Sequence, residues 1–187
     1  VGDRGRVLYI SGEESAAQVR GRAERIDAVT DGLYLASETD LATVLAQIEQ
    51  VRPDLVVVDS VQTIASTEVD GAAGNVGQVR EVAGSLIQAA KEGGFAMLLV
   101  GHVTKDGSIA GPRVLEHLVD VVVQFDGDRH SRLRLVRAVK NRFGGTDEIG
   151  VFSMATEGLS EVSNPSSLFL TSRDESVTGT VVFPALE

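Results

Sequence analysis

The chain has 187 residues, 43% of them hydrophobic, with four prolines and a formal net charge of −10. That is enough for one domain with a sizeable core and too little for two comfortable ones. It has no cysteine, which excludes a disulfide framework and a cysteine-ligated zinc site within these residues, and the acidic balance argues against a polyanion held over the whole surface. No apolar run reaches the ~20 residues of a membrane helix and the start has no signal-peptide core, so the expectation is a cytoplasmic protein with no membrane partner.

In chain order, Val7-Leu8-Tyr9-Ile10 reads as a buried strand, and Glu14 to Ile26 as a helix with Ala16, Val19, Ala23 and Ile26 on one face. Leu33-Tyr34-Leu35 is a second strand. Asp40 to Val51 is a second helix with Leu41, Val44, Leu45 and Ile48 inward, stopped by Pro53. Leu55-Val56-Val57-Val58 is β-branched and apolar on both faces, as central parallel strands are. Val76 to Ala90 reads as a helix and Phe95 to Val100 as a strand, and three further strands are expected at Val119–Phe125, Leu133–Val139 and Ile149–Met154. Strand–helix alternation followed by successive strands predicts an α/β fold: a mainly parallel sheet with an antiparallel extension and right-handed crossovers.

In such folds the chemistry sits at the carboxyl ends of the strands. The first end carries Ser11-Gly12-Glu13-Glu14, which reads either as a carboxylate over the sheet edge or as a capping box of Ser11 with Glu14. The second carries Asp59-Ser60, where an apolar strand ending in Asp matches a Walker B pattern or, alternatively, a helix cap. The third carries Gly101-His102, followed by the glycine-rich, aperiodic Thr104–Gly111; Ala65–Gly77 is a similar segment, and both read as functional loops. The fourth is Lys140-Asn141-Arg142-Phe143-Gly144. On a strand, Lys140 and Arg142 point the same way and suit a phosphate chain, with Gly144 and Gly145 letting the backbone turn away.

Charge is uneven. Residues 1–60 hold 11 acids and 6 bases, whereas residues 102–145 hold 5 acids, 8 bases (among them Arg129, Arg132 and Arg134) and all three histidines. A basic face and a solvated strand face balanced by nearby acids are both open for that stretch.

These motifs together resemble the RecA-type ATPase core, and more closely the bacterial RadA (Sms) family of recombination proteins. The residues that carry the resemblance are Leu8 to Ser15, Leu55 to Thr63, Gly101 to Gly107, Ile109 to Pro112, Leu115-Glu116-His117 and Lys140 to Gly144, within a match over roughly residues 6 to 170. The resemblance implies a RecA-like P-loop NTPase core over residues 1–172, with residues 173–187 opening a Lon-protease-like domain. It implies ATP and Mg²⁺ as cofactors, with Glu13 as general base, Asp59 as Walker B residue holding Mg²⁺ mostly through water, Ser60 beside it, and His102 as phosphate sensor. It also implies that Lys140 and Arg142 enter the neighbouring subunit's site, so that hydrolysis requires a ring, hexameric in the working picture. Lys105 and Arg113 would meet single-stranded DNA; a recombinase such as RecA is an implied partner, and branch migration the implied task.

Two departures from the family pattern stand out. No phosphate-binding loop of form G-x-x-x-x-G-K-S/T occurs in these residues, and neither does the family's four-cysteine zinc module. The chain as given is therefore expected to bind ATP poorly by itself, and a non-catalytic DNA-binding or assembly module on the same scaffold stays open beside the ATPase reading. DnaB-like helicases and KaiC-like ATPases share the architecture, and the Lys140–Gly144 motif with Val103–Gly107 favours RadA. With only 4% aromatic residues, DNA binding should rest on backbone electrostatics and fall with salt.

Overall fold

The computed structural model describes residues 5–102, 115–127, 131–156 and 158–165. The first half alternates strands and helices: β1 (Val7–Ser11), α1 (Ala16–Arg25), β2 (Leu33–Ser37), α2 (Leu41–Val51), β3 (Leu55–Asp59), a single 3₁₀ turn at Val61–Thr63, α3 (Val76–Gly93) and β4 (Ala96–Val100). Strands β5 (Val121–Asp126), β6 (Leu133–Asn141), β7 (Ile149–Ala155) and β8 (Gly158–Glu161) follow. The first four strands form a parallel sheet in the order β2-β1-β3-β4, and the last four an antiparallel sheet in the order β5-β6-β7-β8, each with its own hydrogen-bond ladder. The expected α/β core with an antiparallel addition is the observed architecture.

Strand alternation decides where the core lies. Leu8 and Ile10 on β1 pair in register with Val56 and Val58 on β3, so these four side chains share one sheet face. All are at most 2% exposed, covered by Leu41, Val44 and Ile48 of α2 and by Val79, Val82, Ala83 and Leu86 of α3. Burying a side chain such as Leu86 contributes roughly 1.5–3 kcal/mol. The other face carries Tyr9 and Val57, which are half-buried, and Leu98, which is 56% exposed. Helix α1 lies on that side, where Arg22 acts electrostatically on the Tyr9 phenol. β3 is apolar on both faces, as its sequence reads, but only the Val56–Val58 face is fully buried.

Local signals shift several boundaries. Helix α1 starts later than expected because Ser15, not Ser11, is its N-cap: the Ser15 hydroxyl accepts from the Gln18 amide while the Gln18 side chain accepts from the Ser15 amide. Of its expected apolar stripe only Val19 is buried; Ile26 is the C-cap, outside the helical rotation, and stands 58% exposed. Asp40 caps α2 by accepting from the Thr43 amide at 2.9 Å. Helix α3 runs past Ala90 to Gly93 and ends where Gly94 takes φ +69°, a conformation that glycine adopts without cost. β8 escapes the sequence pattern because four residues carry no readable alternation; its pairing to β7 makes it a strand.

Candidate nucleotide site at the strand ends

Strand order places the ends of β1, β3 and β4 side by side, and three of the four sequence-marked strand ends meet there. Glu13 stands two residues beyond β1, Asp59 closes β3, and His102 stands two residues beyond β4. The Glu13 carboxylate is the meeting point. Its Oε1 accepts from the Ser60 hydroxyl at 3.2 Å and lies 3.3 Å from His102 Nε2, with both side chains about half exposed. A carboxylate so placed has water access and two polar neighbours to orient it.

The backbone under Glu13 is tightly held. Ser11 Oγ accepts from the amides of Glu13 (3.3 Å) and Glu14 (3.0 Å), so Ser11 shapes this turn and not the helix start. The Gly12 amide donates to the Asp59 carbonyl at 2.9 Å, tying the two strand ends together. Glu14 turns away from the cluster to pair with Arg22 at 2.5 Å.

Asp59 does not cap the turn that follows it: Ser60 is the N-cap of Val61–Thr63, without a side-chain bond. Asp59 Oδ2 instead accepts from the Tyr9 hydroxyl at 2.5 Å. Burial first, and then the hydrogen bond and charge of Asp59, push the Tyr9 phenol up to about 12, so it is a neutral donor. Gln62 completes the group by donating Nε2 to the His102 carbonyl at 3.1 Å, while its buried Oε1 has no hydrogen-bond partner among the described residues. Sequence reading missed Tyr9 and Gln62. No local pattern marks Tyr9: its nearness to Asp59 follows from the pairing of Ser11 with Asp59, a register that only the structure shows.

Lys140 lies on β6 and Arg142 one residue beyond its end, in the turn, and both reach the segment before β5. Lys140 Nζ donates to the carbonyls of Glu116 (2.5 Å) and Val119 (2.8 Å), and Arg142 pairs with Asp120 at 2.7 Å. With these partners they are not a free cationic face, and because Arg142 lies beyond the end of β6 the strand alternation expected to align it with Lys140 does not extend to it. Among the described residues their hydrogen bonds and ion pairs do not reach Glu13, Asp59 or His102. Asn141 clamps the turn beyond β6, accepting from the Phe143 amide at 3.0 Å and donating to the Gly145 carbonyl at 3.2 Å, and Phe143 stands 80% exposed.

Two further arginines of the basic stretch have partners of their own. Arg137 pairs with Asp126 at 2.6 Å, and Arg134 donates to the carbonyls of Ser131 and Leu133. Lys105, Arg113, Arg129, the Thr104–Gly111 segment and residues 173–187 lie outside the described residues. The other glycine-rich segment is less free than its composition suggests. The Gln78 amide, 1% exposed, accepts from the Ser66 amide (2.8 Å) and donates to the carbonyls of Ser66 (3.0 Å) and Val69, pinning its first half to α3.

No three His, Asp or Glu side chains among the described residues converge as a metal cage. The donors present, one strand-end carboxylate and an adjacent hydroxyl, fit Mg²⁺, which keeps several waters and takes one or two carboxylates plus phosphate oxygens. Asp59 and Ser60 would hold it.

A family model described as an AAA domain matches residues 1–108. The DNA repair protein RadA of Streptococcus pneumoniae is 51% identical over 183 residues, covering 98% of this chain and 44% of that protein. The DNA repair protein RadA of Mycolicibacterium smegmatis is 57% identical over 186 residues, covering 97% of this chain and 40% of that protein. The chain thus spans about two fifths of the length of these curated relatives. A crystal structure of a KaiC-like protein from Pyrococcus horikoshii OT3 superposes with a TM-score of 0.61 at 15% identity, over 84% of this chain and 76% of that one, a likeness of fold. On a model match over more than half its length and relatives of one kind along nearly all of it, the chain belongs to the AAA domain family and groups by sequence with the RadA proteins.

Proposed function

We propose that this chain is the catalytic core of an ATP-hydrolysing DNA repair protein of the RadA kind, and that its strand-end cluster is the hydrolytic half of the nucleotide site. One observation carries the reading: Glu13 Oε1 faces both the Ser60 hydroxyl and His102, beside Asp59, at the ends of three adjacent parallel strands. Glu13 is the group that takes the proton from the attacking water. General-base help of this kind contributes about 10²–10⁴-fold in rate. Bound Mg²⁺ would neutralise phosphate charge and orient the phosphate chain; Asp59 and Ser60 keep their oxygens at the strand end to receive it. His102, 3.3 Å from Glu13, exchanges that contact for a phosphate oxygen when nucleotide is present and so senses the phosphate state.

Lys140 and Arg142 act in this reading on the site of a neighbouring copy, trading their present partners at Glu116, Val119 and Asp120 for phosphate oxygens. The support is their separation from the Glu13 group by hydrogen-bonding partners of their own. Such cations stabilise charge that develops in the transition state. Single-stranded DNA is the polymer bound and branch migration the task, with a ring as working form. The segment 65–77 holds Glu68 and Asp70 and no base, so the cationic contribution falls to Lys105 and Arg113. Phosphate contacts of that kind weaken as salt rises.

The test is single-strand-DNA-stimulated ATP turnover by the full-length gene product, comparing wild type, Glu13→Gln, Arg142→Ala and a mixture of the two variants. Each variant alone should be inactive and the mixture should regain turnover, because a site that draws Glu13 from one copy and Arg142 from the next is intact. Failure of the mixture to recover rejects the shared site. A wild type that never hydrolyses ATP leaves a non-catalytic DNA-binding or assembly module in its place.

A further inference from the structure

We infer that Tyr9 is a positioning residue for Asp59: its phenol fixes the carboxylate so that a single oxygen, Oδ1, is offered to an incoming cation. The inference rests on the nucleotide-site reading above and assigns a role to a residue that the chemistry itself does not touch. Tyr9 and Asp59 are 50 residues apart, on adjacent strands, and their side chains share one sheet face because Tyr9 pairs with Val57 and Ser11 with Asp59. The phenol runs diagonally from one strand to the next and ends on Asp59 Oδ2 at 2.5 Å.

Packing alone does not ask for this arrangement. The Tyr9 face of the sheet is half open, so the hydroxyl could be satisfied by water, and a phenylalanine would fill the same space. The donor is also chemically suited. A lysine or guanidinium in its place would orient the carboxylate but offset its charge, whereas a neutral phenol orients it and leaves the full negative charge for a metal. With Oδ2 occupied, Asp59 becomes a one-oxygen ligand, the mode that suits a small octahedral cation retaining its waters.

The phenol has a charged pair near it. Arg22 on α1 acts electrostatically on the Tyr9 hydroxyl, and Glu14 Oε2 pairs with the Arg22 guanidinium at 2.5 Å. Two pairs, Glu14 with Arg22 and Tyr9 with Asp59, thus lie on the α1 side of the sheet. Glu14, adjacent to Glu13 in sequence, belongs to the first of these pairs and not to the water-facing cluster. Groups that orient a ligand from behind in this way typically change metal affinity by about 10–100-fold when removed.

The experiment measures Mn²⁺ binding by electron paramagnetic resonance in the full-length gene product, saturated with a non-hydrolysable ATP analogue, for wild type, Tyr9→Phe and Val57→Ala. Tyr9→Phe should weaken Mn²⁺ binding by about tenfold or more, with metal-free analogue affinity and circular dichroism unchanged. Val57→Ala disturbs packing on the same sheet face without touching Asp59, and should lower the thermal midpoint while leaving Mn²⁺ affinity at the wild-type level. Wild-type Mn²⁺ affinity in Tyr9→Phe overturns the assignment of Tyr9, and so does an equal loss in Val57→Ala, which would reduce the effect to packing. A wild type that takes up no Mn²⁺ with the analogue overturns the nucleotide-site reading itself, and this inference with it.

Discussion

Thr63 stands where a side chain at position 12 would have to go: a Cβ on Gly12 would overlap Thr63 Oγ1, with Thr63 Cβ only 2.6 Å away. Thr63 cannot simply swing aside, because its hydroxyl donates to the Ser60 carbonyl at 2.7 Å. This close approach of two strand ends lets the Ser60 hydroxyl reach Glu13. Gly12→Ala should destabilise the fold by about 1–3 kcal/mol, the usual range for forced overpacking, measured as a lower urea midpoint. Adding Thr63→Gly, which removes both crowding atoms, should recover part of that loss, a coupling that independent sites would not show. Additive losses would mean that the two residues do not crowd each other.

Tyr9 should make stability fall at high pH. Its folded-state pKa is raised from 10.0 to about 12, by burial first and by Asp59 second, so the folded protein holds its proton more tightly than the unfolded chain. The contribution is complete below pH 10 and is lost as pH rises from there through about 12. Wild type should lose stability more steeply across that window than Tyr9→Phe, and tyrosinate absorbance at 295 nm should show a step near 12 that the variant lacks. Equal slopes would contradict the Tyr9–Asp59 hydrogen bond.

Asp40 gives the opposite sign. The Thr43 amide, and then the Thr43 hydroxyl, hold its carboxyl below the ordinary aspartate value. Its stabilisation of α2 is therefore present at neutral pH and disappears as pH falls through the depressed value. Asp40→Asn should melt below wild type at pH 7, and the gap should close in strong acid. A gap that persists there would assign the effect to cap geometry and not to charge.

Gln78 is the clasp of the segment after β3. Gln78→Leu keeps the volume but leaves the Ser66 amide and carbonyl without their buried partner, at a cost of about 1–3 kcal/mol for such a group. The variant should show earlier proteolytic cleavage within residues 66–71 than in wild type, at a temperature where both are folded. Unchanged cleavage would mean that Ala65 and its bridge to Asp40 suffice to hold the segment.

Composition and short-range pattern determined a good deal here. The apolar runs at Leu8, Val56 and Leu99 and the helical spacing of Leu41, Val44 and Ile48 were legible because period is a local property that burial imposes directly. Glu13, Asp59 and His102 were legible as strand-end residues for the same reason. Of the two alternatives left open at Ser11–Glu14, the capping box is not the one realised: two serines four residues apart offer equivalent local chemistry, and only the observed bond to Gln18 makes Ser15 the cap. The tertiary structure alone decided who meets whom: Ser60 with Glu13 across 47 residues, Tyr9 with Asp59 across 50, and Lys140 with the carbonyls of Glu116 and Val119. Those contacts depend on strand order and register, which no window of sequence contains, because a hydrogen bond needs its partners within about 3 Å and that distance is set by the packing of the whole sheet.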